Sequence, residues 1–89
     1  MERPCENTRK KLVVALAVMY LRKGFLYGDP VKRAKDLVLY DVAQEILPEE
    51  VVDEVIDAIE KVYNALDDLA KNKEKPTYAA AVKRVLERL

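Results

Sequence analysis

Apolar residues recur along this chain at helical intervals in three stretches and run without interruption in a fourth. The clearest stretch spans residues 48–71, where Val52, Val55, Ile59, Val62, Leu66 and Leu69 follow one another at alternating steps of three and four. Ile56, Tyr63 and Ala70 widen that stripe, and Val51, Ala58 and Ala65 carry the apolar arc further round. Pro48-Glu49-Glu50 opens the stretch, with two acids where the positive end of a helix dipole favours them. A helix over 30–46 is expected from Asp29 as N-cap, Pro30 at the first helical position, and Ala34, Leu37, Val38, Val42 and Ile46 on one stripe. Another, over 77–89, starts from Thr77 as cap and turns Tyr78, Val82, Val85 and Leu89 inward.

The remaining segment, 9–23, has a different character. Its ten residues from Leu12 to Leu21 are all apolar, so no polar face exists. The β-branched Val13, Val14 and Val18 suit a strand, but the length of the run and the interleaved Ala15, Leu16, Ala17 and Met19 favour a helix. Asn7 or Thr8 would cap it, and Gly24 would end it in a left-handed C′ conformation. No stretch has a strand pattern, and no internal repeat is visible. The sequence therefore predicts an all-α, four-helix bundle-like single domain, residues 1–89, with a long amphipathic third helix.

Ten apolar residues fall well short of the roughly 20 that span a bilayer, and Arg22 and Lys23 follow where a signal peptide would carry its cleavage site. A cytoplasmic protein with no membrane partner is expected. With 51% hydrophobic residues, two Gly and four Pro, the 89-residue chain is rich enough in apolar side chains to build one core. Long charged side chains beside a single Gln fit the composition of heat-stable proteins.

Composition also removes most catalytic chemistry. The chain has no His, Ser or Trp, so neither a Ser-His-acid triad nor a Cys-His pair can be assembled, and the lone Cys5 has no disulfide partner within the chain. The only glycines, Gly24 and Gly28, fit neither a phosphate-binding loop nor a dinucleotide fingerprint. A carboxylate-bridged di-metal bundle needs Glu-x-x-His, which is missing. No enzymatic activity, cofactor or metal site is expected.

Charge changes the picture in another way, because it is sorted into blocks. Residues 1–35 hold nine Lys/Arg against three acids, 36–68 hold eleven acids against Lys61 alone, and 69–89 hold six Lys/Arg against Glu74 and Glu87. The net charge of zero conceals side-chain blocks of +6, −10 and +4. Such segregation implies that a basic surface meets an acidic one, within the fold or in a partner. On the third helix Glu49, Asp53, Asp57 and Glu60 form one ridge, and Glu50 and Glu54 a second. Basic residues of the first or last helix, Arg84 and Arg88 in particular, are expected to face them.

Two functional expectations follow. In a monomeric bundle each helix leaves a face to water, and the segment from Leu12 to Leu21 has no such face. Three short neighbours cannot surround it, so the chain is expected to self-associate, as a symmetric homodimer, with Leu12, Leu16, Met19 and Tyr20 in the interface. On this reading it is a non-catalytic interaction or scaffold module, with a protein partner as a further option. The second expectation is a small helix-turn-helix DNA-binding protein, in which Lys73, Lys75, Thr77, Lys83, Arg84 and Arg88 meet phosphates. Against it, the first turn of the last helix, Tyr78-Ala79-Ala80-Ala81, offers almost nothing to base edges.

Overall fold

The computed structural model describes residues 6–88; Cys5 and Leu89, both named above, lie outside them. Four helices follow in chain order: α1 (Glu6–Gly24), α2 (Pro30–Ala43), α3 (Val52–Lys71) and α4 (Tyr78–Arg88). A 3₁₀ turn at Glu49–Val51 leads into α3, so the segment expected to start as α-helix at Pro48 begins with a tighter turn. The described residues contain no strand, and the all-α, four-helix architecture expected from the sequence is the one observed.

Contacts at both ends show that α1 and α3 run in the same direction: Arg9 meets Glu54 near their starts, and Phe25, just past the end of α1, lies against Tyr63. Both touch every other helix, while α2 and α4 flank them. The core gathers Val14, Ala17 and Leu21 of α1, Ala34 and Val38 of α2, Val55, Ile59 and Val62 of α3, and Ala81 and Val85 of α4. Fully buried alanines at 17, 34 and 81 let backbones approach closely. Ala58 and Ala65 are buried too, so the wide apolar arc of α3 is used inside the chain. The Cα trace measures 43 × 31 × 15 Å. Since packed helix axes lie about 8–10 Å apart, a body this thin holds two layers at most and encloses no helix on all sides.

The helix ends rest on local chemistry. Asp29 takes extended backbone angles and its carboxylate accepts from the Lys32 N–H at 3.1 Å, with Pro30 opening α2, as the sequence indicates. Thr77 caps α4 by accepting from the Ala80 N–H at 3.1 Å. The C-terminal ends depart from expectation. Neither glycine has positive φ; the left-handed positions belong to Glu45 (φ 59°) and Lys73 (φ 60°). Each sits at C′ of a Schellman motif, with paired bonds from Ile46 N–H to Asp41 and Glu45 N–H to Val42 after α2, and from Glu74 N–H to Leu69 and Lys73 N–H to Ala70 after α3.

The first of these turns corrects the expected inward stripe of the second helix. Because α2 stops at Ala43 and the chain reverses hand at Glu45, Ile46 points to water, 69% exposed, and Leu47 fills the core in its place. Gly24 has a steric role instead of a conformational one. It is the last residue of α1, and a Cβ there would lie 2.2 Å from the Pro30 carbonyl oxygen. The connection 25–29 is therefore short because α1 and α2 touch at their common end.

Two substitutions check these assignments by denaturant unfolding. Gly24→Ala gains about 1 kcal/mol of helix propensity but collides with backbone that cannot step aside, so a net loss of about 2 kcal/mol is expected. Lys73→Gly relieves the left-handed penalty and is expected to stabilise by about 0.5–1 kcal/mol, the greater chain entropy of glycine offsetting part of the gain. A Gly24→Ala variant as stable as the parent would remove the close approach from the account.

Candidate interaction surface

The side of α1 turned away from the core carries an exposed apolar surface. Leu12 and Met19 are each 55% exposed, Ala15 is exposed between them, and Leu16 is half-buried beside it. The steps 12, 15, 16 and 19 place all four on one helical face. Tyr20, expected with them in an interface, is instead buried at 6% exposure and turned toward α2. One residue is 100° of rotation, and that is enough to take it from the outer face to the seam between α1 and α2.

Tyr20 joins the two helices. Its hydroxyl donates to Asp41 Oδ2 at 2.6 Å, and the Lys23 ammonium lies 5.9 Å from its ring centroid. Since Asp41 faces α1, Leu37 one turn earlier shares that side, and Tyr40, at three residues from Leu37, lies at its outer edge. Leu37 is half-buried and Tyr40 62% exposed, so α2 continues the apolar surface of α1. At one end, Met19, Arg22, Lys23 and the 80%-exposed Leu26 line a shallow hollow. Leu26 and Tyr40 are contributions that the periodicity missed. The apolar connection after Gly24 was a legible signal for Leu26; Tyr40 lies off the stripe of α2 and carried none.

Charge is polarised along the same surface. The end formed by the α1–α2 connection presents Arg22, Lys23, Lys32 and Arg33 with Asp29, and Arg33 stacks over the Tyr27 ring at 4.5 Å. The opposite end, where α2 hands over to α3, presents Glu45, Glu49, Glu50, Asp53 and Glu54. There the Arg9 guanidinium grips Glu54 through two bonds of 2.8 and 3.2 Å. That hydrogen bonding, reinforced by the charge attraction, holds the Glu54 carboxyl below its ordinary range and raises Arg9. A cleft lined by Glu6, Arg9, Lys10, Val13, Glu54 and Lys61 runs alongside.

The acidic ridges of α3 find bases, one of them on the first helix as expected, but neither Arg84 nor Arg88 of the last. Glu54 meets Arg9 of α1; Glu60 meets Lys35 of α2; Asp57 meets Lys61, one turn on in α3 itself, at 2.8 Å. Arg84 pairs instead with Glu74 in the preceding turn at 3.3 Å, drawn there because the left-handed Lys73 folds the chain back under α4. Of the other residues that a DNA-binding reading would use, Thr77 is engaged as the cap of α4, and Lys73, Lys75, Lys83 and Arg88 are exposed. Glu74 and Glu87 lie among them, lining a hollow with Lys75, Lys83 and Arg84.

A smaller aromatic cluster closes the basic end of the bundle, where Phe25 stands 6.2 Å from Tyr63 and edge-on to Tyr78 at 6.5 Å. Burial raises the Tyr78 phenol against the opposing pull of Arg22. Among the described residues no three His, Cys, Asp or Glu converge on a metal-sized site, and no helix is long and apolar enough to cross a membrane. Set against known protein families, curated proteins and solved structures, the chain matches none of them.

The Tyr20–Asp41 link supplies a pH test. Burial first, and then the hydrogen bond and charge of Asp41, push the Tyr20 phenol up to about 12, against about 10 when unfolded. Because the folded value is the higher one, this stability is complete below pH 10 and is lost as pH rises toward 12, by at most about 2–3 kcal/mol. Tyr20→Phe is expected to cost about 1–2 kcal/mol at pH 8 and to approach the stability of the parent chain by pH 12. An unchanged gap between the two proteins across that range would show that the hydroxyl titrates normally.

Proposed function

We propose that this chain is a non-catalytic, cytoplasmic helical interaction module that self-associates as a homodimer through the outer face of α1. One observation carries the reading: Leu12, Ala15 and Met19 form an exposed apolar stripe within a run, Leu12 to Leu21, that has no charged side chain to turn outward. Continuous apolar surface of this kind marks interaction sites in soluble proteins, and isolated exposed leucines do not. The broad face of the molecule, 43 by 31 Å, has room for the roughly 800 Å² per partner that a stable interface buries. Tyr40 of α2 and Leu26 of the connection extend the stripe on either side. The DNA-binding reading gains no support of this kind, since Thr77 and Arg84 are engaged within the chain and acids interrupt the basic surface of α4.

Light scattering across the micromolar range is expected to give a dimer, with a melting temperature that climbs as protein concentration rises. Leu12→Glu combined with Met19→Glu should yield a monomer with the helix content of the parent, because both positions face water in the isolated fold. A parent chain that is monomeric at about 100 μM, well above the working range of a specific dimer, would end the proposal.

A further inference from the structure

We propose that two copies pair antiparallel along α1, about a two-fold axis beside Ala15 and Leu16, and that the charge poles of the chain select this direction over the parallel one. The inference rests on the self-association proposed above and adds its geometry and the identity of the occupant.

The stripe is symmetric about its own middle. Leu12 and Met19 lie equally far from the midpoint between Ala15 and Leu16, so an antiparallel two-fold sets each Leu12 against the partner's Met19. Ala15, exposed at that midpoint, allows the two helices to approach closely. No charged residue interrupts the run from Leu12 to Leu21. Such a pairing is isologous and closes on itself, which leaves no free apolar stripe for a third copy.

Hydrophobic contact alone does not choose between parallel and antiparallel pairing, because the stripe reads similarly in both directions. The poles do choose. Arg22, Lys23 and Arg33 crowd the α1–α2 connection with Asp29 beside them, and Lys32 is paired with Asp36 at 3.1 Å, so bases remain in excess there. At the other end stand Glu45, Glu49, Glu50 and Asp53; Arg9 is held by Glu54 and Lys10 by Glu6, and Lys11 is exposed there, so acids remain in excess. In a parallel pair the two basic ends lie side by side, as do the two acidic ends. An antiparallel pair puts each basic end beside the partner's acidic end. These groups are exposed, so each contact adds little affinity, but the sign of the sum sets orientation. End-to-end stacking of opposite poles would also match charge, yet it would leave Leu12 and Met19 in water.

The test uses the full chain with Cys5→Ser and one introduced cysteine. Spin labels at Lys23→Cys are expected to report a Cα separation of about 25 Å in the antiparallel pair, from fifteen residues of axial offset and one interaxial spacing, against about 10 Å in a parallel pair. Ala15→Cys is expected to form a disulfide-linked dimer under mild oxidation, since its two copies meet at the axis. Reversing the basic pole with Arg22→Glu and Lys23→Glu should weaken dimerisation by about tenfold at low salt and much less at 0.5 M salt, where the Debye length falls to about 4 Å. A dimer with the short label distance, no Ala15→Cys cross-link, or tighter association on charge reversal overturns the geometry while leaving self-association standing. A chain that stays monomeric overturns both.

Discussion

Geometry limits this fold first: three short helices have too little mass to enclose a fourth that is apolar on every side of its central run. α1 buries Val14, Ala17 and Leu21 against three neighbours, yet the body is only 15 Å thick, so its far side meets solvent. A polar far side would make this an ordinary small bundle. Here that side is Leu12, Ala15 and Met19, and under the proposed self-association covering it would contribute about 25 cal/mol for each Å² removed from water. The architecture of the other three helices, the seam at Tyr20 and the placing of charge all sit around that one exposed face.

Most of the fold was legible in the sequence because period and caps agreed. α3 follows from its 3-4 spacing, α2 from Asp29-Pro30, and α4 from Thr77; the caps Asp29 and Thr77 make the bonds their chemistry suggests, whereas Asn7 and Thr8, expected to cap a first helix starting at Arg9, lie within α1 (Glu6–Gly24). What was not legible lay where a rule has more than one physical solution. Gly24 suggested a left-handed stop, but absence of a side chain also permits contact, and contact with Pro30 is how it is used. Glu45 and Lys73 take left-handed conformations that nothing in their side chains announces. The error at Ile46 descends from that, since one reversal of hand moves the buried position to Leu47.

The candidate surface was legible to the same degree. An apolar run without a polar face marks an anomaly, and of the residues it singles out Leu12 and Met19 are exposed and Leu16 half-buried on one side of α1. It does not resolve the 100° that separates Met19 from Tyr20, because the rotation of a uniformly apolar helix is set by its neighbours and not by its own pattern. The charge blocks likewise announced that basic and acidic surfaces meet. Which residues meet depended on tertiary placement: Lys35 and Arg9 reach α3, whereas Arg84 is captured by Glu74 ten residues earlier.

The close approach of Gly24 to Pro30 bears on more than the turn it shapes. Together with the Tyr20–Asp41 bond further along the seam, it ties α1 to α2 at two points, so both helices of the outer face are held together within the chain itself. A surface prepared in this way gives up little conformational entropy on docking, and encounter need not wait for rearrangement. Under the proposed self-association, rigidity conferred by a missing methyl group would become a kinetic property, one that favours rapid capture and leaves the lifetime of the complex to the quality of its apolar contact.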